Sequence, residues 1–120
     1  NKNGPIPVPG NVSYNGYMAT QELFRAMERA GSTNNIAIIK ALEGHKMSAK
    51  DRMQHFDAYI DPVTHQVQQT IYLCRKNTKP VDNTDHFEIM SWAEPKDVLD
   101  DAAPTKCKLV PYDKVPSVDA

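Results

Sequence analysis

From Asn15 to Leu42 the apolar residues recur at helical spacing, and after His45 they alternate with polar ones. The first stretch predicts a long amphipathic helix starting near Tyr14–Tyr17, with Ser13 or Asn15 placed to cap its free amides. Tyr17, Leu23, Phe24, Met27 and Ala30 fall near one stripe, the expected core face. Gln21, Glu22, Arg25, Glu28 and Arg29 fall mostly off it. Gly31 is the expected left-handed stop, because glycine enters that conformation without steric cost. Ser32 to Asn35 then offer caps for a shorter second helix. Ile36, Ile38, Ile39, Ala41 and Leu42 make that helix apolar over much of its surface, and Gly44 closes it.

Alternation with a period of two then predicts strands. In Arg52–Ile60, Phe56, Ala58 and Ile60 share one face, while Met53, His55, Asp57 and Tyr59 share the other. Asp61-Pro62-Val63-Thr64 reads as a turn, with proline preset for it and Asp61 able to bond forward to the backbone. Val67, Gln69, Ile71 and Leu73 then alternate with Gln66, Gln68, Thr70, Tyr72 and Cys74, so an antiparallel pair is expected around the turn. After a loop over residues 76–85, His86–Ala93 is a third strand, and Glu94-Pro95 opens a short helical turn carrying Val98 and Leu99. The organisation is thus an extended, proline-bearing lead-in (1–12), a helix pair (13–44), strands (45–93) and a tail (94–120).

Composition narrows the classes. With 120 residues, 40% hydrophobic and 24% charged, the chain is ordinarily globular and sized for one small domain. A net charge of −1 supplies no electrostatic reason for a nucleic-acid or anionic-membrane partner. No apolar run approaches the roughly 20 residues of a membrane-spanning helix. The first residue is Asn1, so a processed, trimmed or cut-out piece of a longer protein is expected. Cys74 and Cys107 permit one disulfide without demanding it.

Candidate chemistry is sparse. His45, His55, His65 and His86 lack short paired spacing, and a hairpin bringing His55 to His65 would supply only two ligands, so no metal is expected. The carboxylate pairs Asp100-Asp101 and Asp57 with Asp61 belong to a charged turn and a hairpin, with no sign of a cleft that would tune them for acid–base work. Lys46, Lys50 and Arg52 read as a solvated face. Tyr14 and Trp92 could stack on a ligand, although buried or rim aromatics are the ordinary alternative. No nucleophile elbow, dinucleotide fingerprint or phosphate loop is present. No catalytic residue and no cofactor are expected.

The order of signals is more specific than any one of them. A helix GYMATQELFRAMERAGS precedes a second helix ending KALEG, then Thr64–Gln66 (THQ) and the strand Thr70–Arg75 (TIYLCR). This resembles the C-terminal third of a branched-chain amino-acid-type solute-binding protein of ABC transporters, with the type I periplasmic binding fold. The matching residues are Tyr17, Ala19, Leu23, Ala26, Met27, Ala30-Gly31-Ser32, Ala41-Leu42-Glu43-Gly44 and His65-Gln66. Tyr72-x-Cys74-Arg75 and the late Cys107 resemble a subgroup. The resemblance implies an α/β fold, of which this chain is the C-terminal part, and a periplasmic or extracytoplasmic home with a Cys74–Cys107 bridge. It implies a small organic solute, such as an amino acid or a related carboxylate or aromatic acid, held by closure of two lobes. Its other partners would be a membrane permease and the N-terminal portion of the same protein. The family's cleft-facing element before the long helix corresponds here to Val12, Ser13, Tyr14 and Asn15, of which Ser13, Tyr14 and Asn15 are the expected ligand contacts. On this reading the helix pair packs against a parallel sheet that the chain does not contain. A free-standing module that docks on another chain is the alternative.

Overall fold

The structure, a computed structural model, describes residues 11–82, 84–98 and 108–119. Two helices are followed by two small antiparallel sheets. These are α1 (Asn11–Ala30), α2 (Asn35–Leu42), β1 (Lys46–Met47), β2 (Ala58–Ile60), β3 (Val67–Gln68), β4 (Ile71–Lys76) and β5 (Phe87–Ala93). Single 3-10 turns at Pro95–Asp97 and Tyr112–Lys114 complete the order. The described architecture is therefore α+β, with sheet order β1-β2-β3 in one sheet and β4-β5 in the other. No helix among the described residues is long and apolar enough to cross a membrane.

α1 begins earlier than expected, so Asn11 and Val12 are helical and Ser13 and Asn15 lie inside the helix instead of capping it. Its burial reverses the expectation. Met18 (2% exposed), Glu22 (5%) and Ala26 (0%) are the buried line, while Tyr17 (61%) and Phe24 (60%) stand in solvent. At about 100° per residue these two sets occupy opposite sides of the helix. α1 packs on α2, not on a sheet, and the side that carries Tyr17 and Phe24 is left uncovered among the described residues. Met27 and Ala30 of the expected stripe are half-buried.

The break and α2 form as the residue types dictate. Gly31 takes φ +59°, and the Asn34 side chain accepts from the backbone amides of Ile36 and Ala37, filling two positions that no helical carbonyl can reach. Beyond α2, Gly44 at φ +68° turns the chain and donates to the Ile60 carbonyl (2.9 Å), which fastens the helix end to β2. Leu42 packs there against the buried cluster of Met47, Ala58 and Ile60.

Only Ala58–Ile60 of the expected strand 52–60 is extended. The preceding residues form turns in which Arg52 N donates to Ser48 O and Gln54 N to Ala49 O. Asp57 Oδ1 takes the Ala49 amide (2.7 Å) and Ser48 Oγ the Asp51 amide (3.1 Å). Short polar side chains thus satisfy the local backbone and displace a sheet ladder. The expected facing nevertheless holds within β2, where Ala58 and Ile60 are buried. The turn at Asp61 forms as read, with Oδ1 accepting from Val63 N (2.8 Å) and Thr64 N (2.7 Å). His65 completes it at φ 57°, an uncommon conformation for a residue with a β-carbon.

In β3 and β4 the apolar set Val67, Ile71 and Leu73 is exposed, whereas Gln68 and Thr70 are buried. β4 and β5 form a separate two-stranded ribbon, with Tyr72 opposite Trp92 and a register shift between Leu73 and Cys74. Residues 116–118, expected only as tail, dock on α2. Asn35 N donates to Val118 O (3.0 Å), Val118 N to Asn35 Oδ1 (2.9 Å) and Asn35 Nδ2 to Pro116 O (2.9 Å).

Candidate functional site

A groove of about 510 Å³ lies between α1 and the three-stranded sheet. Helical spacing brings Asn15, Met18, Ala19, Glu22 and Leu23 to its one wall, and Leu42, Met47, Ile60 and Val67 supply an apolar opposite wall. Arg52 and Gln69 complete the lining. An apolar body with a few convergent polar groups is the usual composition of a small-molecule site.

Two polar side chains on this lining are almost wholly removed from water. Glu22 is 5% exposed and is held by Arg25 Nη1 at 2.9 Å. Its other oxygen lies 3.3 Å from His45 Nε2, close enough for attraction but without hydrogen-bond geometry. Burial, with Arg29 and Arg25 nearby, outweighs the Glu22 carboxylate and lowers the His45 pKa below the ordinary histidine value. Arg25 also approaches Asp51 at 3.8 Å, so the carboxylate end of the groove is locally compensated.

The guanidinium end differs. Arg52, also 5% exposed, donates through Nη2 to Gln69 Oε1 (2.8 Å) and lies over the Tyr14 ring, 5.7 Å from its centroid. Its Nε has no hydrogen-bond partner, and no carboxylate forms an ion pair with it among the described residues. A neutral amide and a ring face are modest compensation for a desolvated cation, whose burial without a counter-charge costs several kcal/mol. Tyr14 supports this corner from α1. Its hydroxyl donates to the Arg52 carbonyl (2.6 Å) and accepts from Gln54 Nε2 (3.1 Å).

Of the three expected ligand contacts, Asn15 lines the groove and Tyr14 braces its guanidinium corner, while Ser13 is exposed and lies outside the lining. Sequence reading placed Arg52 on a solvated face. The signal against that was local: Arg52 sits among Ser48, Asp51, Gln54 and Asp57, residues that turn a chain back on itself. Glu22 had no comparable sign. Cys74 is exposed on β4 and forms no bridge among the described residues, and its expected partner Cys107 lies outside them.

The remaining histidines are dispersed. His55 stacks on Trp92 at 4.1 Å and contacts the Tyr72 hydroxyl through Nδ1 (3.1 Å), whereas His65 donates to Glu43 (2.8 Å). Among the described residues no group of three or more His, Cys, Asp or Glu is arranged to hold a metal ion. A second cavity, of about 350 Å³, includes Ile39, Glu43, His65 and Tyr112. Burial and the neighbouring Glu43 carboxylate push the Tyr112 phenol up to about 12. Burial acts to raise Glu43, but Tyr112, His65 and Lys40 together hold it below the ordinary carboxylate range. Comparison of the chain with protein-family models, curated proteins and solved structures finds no match.

Proposed function

We propose that the chain is the C-terminal part of the solute-binding component of an ABC transporter, built on the type I periplasmic fold. It would capture a small organic solute between two lobes, an amino acid or a related carboxylate or aromatic acid, and deliver it to a membrane permease in an extracytoplasmic compartment. The observation that carries this reading is the bare apolar side of α1. Tyr17 and Phe24 face solvent on the side opposite the buried line of Met18, Glu22 and Ala26, where α1 packs on α2. A helix with two faces to bury fits between two layers, one supplied here and the other by the N-terminal portion of the protein. The order of sequence motifs from Tyr17 to Arg75 supports the same origin. Ser13, Tyr14 and Asn15 would contact the solute or its cleft wall, and a Cys74–Cys107 bridge would add a few kcal/mol by restricting the unfolded chain.

Sequencing the complete reading frame tests this first. The βα units of two lobes are expected upstream of Asn1, and a leader alone in that position would sink the proposal. In the complete protein, calorimetry should detect solute binding, and solution scattering should show the molecule contracting as the lobes close.

One observation favours the alternative, a module that docks on a different chain. The β4–β5 ribbon exposes Leu73, Phe87, Ile89 and Trp92 across its two strands, more apolar surface than a lone ribbon ordinarily shows to water. Sedimentation distinguishes the two: a frame containing no lobes, with a chain that associates stably with a partner through this ribbon, would establish docking.

A further inference from the structure

We infer that the groove between α1 and the three-stranded sheet is a binding site for a small monocarboxylate with an apolar body, its carboxylate seated on Arg52. This goes beyond the solute captured between lobes, because every element of the groove belongs to this chain. The charge pattern selects the ligand. Glu22 is compensated by Arg25 at 2.9 Å, whereas Arg52, equally buried, meets only the Gln69 amide and the Tyr14 ring among the described residues. Its Nε–H is buried and has no acceptor among the described residues, and Arg52 lines the cavity. A carboxylate is the planar, two-oxygen acceptor that fits a guanidinium edge and brings the missing negative charge.

The rest of the lining sets the ligand's other end. Met18, Leu42, Met47 and Ile60 offer an apolar wall, and two methionines give it an adaptable shape. A volume of about 510 Å³ admits an unbranched acid of roughly eight carbons or a phenylalkanoate. Glu22, on the same lining, disfavours a second negative charge, which favours a monocarboxylate over a dicarboxylate or a phosphate dianion.

Octanoate and 1-octanol, titrated into the 120-residue chain near neutral pH and followed by calorimetry and by methyl NMR, form the test. Octanoate is expected to bind about ten- to a hundredfold more tightly than the alcohol, the value of a charge-assisted hydrogen bond. The methyl shifts should centre on Met18, Met47 and Ile60. Arg52→Gln should abolish the preference for the acid while leaving octanol binding in place, and Glu22→Gln should tighten octanoate severalfold. Equal binding of acid and alcohol by the parent chain would overturn the inference, as would octanoate affinity unchanged in Arg52→Gln. Shifts centred on Leu73 and Ile89 of the ribbon would overturn it too. Should Arg52→Gln fail to fold, the acid–alcohol comparison in the parent chain decides alone.

Discussion

The two sheets are built from similar residues and have opposite fates. In the three-stranded sheet, strands of two or three residues bury Met47, Ala58, Ile60 and Gln68, with Leu42 of α2 packed on the first three. In the ribbon, strands of six and seven residues make a longer ladder, yet Phe87 remains 70% exposed. Hydrogen bonding along a ribbon does not create a core, because each strand needs a layer against its face. Ladder length is therefore a poor guide to where stability resides here. The ribbon is tethered to the body mainly by the His55–Trp92 stack and the Tyr72 hydroxyl, which accepts from His55 N at 3.0 Å.

The largest test of that contrast is a pair of truncations. Met18→Ala removes a side chain buried at 2% exposure and should cost about 2–4 kcal/mol in denaturant unfolding. Leu73→Ala in the ribbon should cost under about 0.5 kcal/mol, the usual range for surface positions. Comparable losses at both positions would break the distinction between the sheets.

A second test concerns the α2 side of the covered sheet. Asn34→Ala removes the cap to Ile36 and Ala37 as well as the hydrogen bonds to Ser117 (2.6 Å) and Asp119 (3.0 Å). A loss of about 1–2 kcal/mol is expected, with Asn34→Asp retaining the cap and recovering part of it.

The third and smallest is a pH effect confined to the covered region. The folded state lowers the His45 pKa, so the neutral ring is favoured and protonation is linked to unfolding. The stabilising contribution is full above the unfolded value of about 6.5 and is lost as pH falls through the lower folded value. Unfolding midpoints measured downward from about pH 7.5 should decline more steeply in the parent chain than in His45→Gln. Equal slopes would assign the acid sensitivity to other groups.

What could be read from sequence was local, and what could not was chosen by distant partners. The Gly31 and Gly44 stops, the Asp61 turn and the proline-initiated turn at Pro95 rest on interactions within a few residues and formed as read, and the cap expected among Ser32 to Asn35 is supplied by Asn34. The bare stripe of α1 was read as core because helical periodicity identifies an apolar face without naming its cover. Gln68 and Thr70 inside and Val67 and Ile71 outside reflect the same limit: alternation pairs residues by face but does not choose which face is covered. The groove draws on α1, the end of α2, β1, β2, the 48–57 turns and β3 with the residue after it, so no local pattern could announce it.

The clasp of residues 116–118 on the start of α2 has a consequence in time. Asn35 and Val118 are joined across 83 positions of sequence, while Gly44, just past the other end of the helix, is joined to Ile60. An eight-residue helix is too short to persist unaided in water. During synthesis α2 can therefore be secured at its C-terminal side once β2 has emerged, whereas the clasp at its N-terminal side waits for residues 116–118. Its docking should be a late event, set by the arrival of distant chain and not by the speed of helix formation.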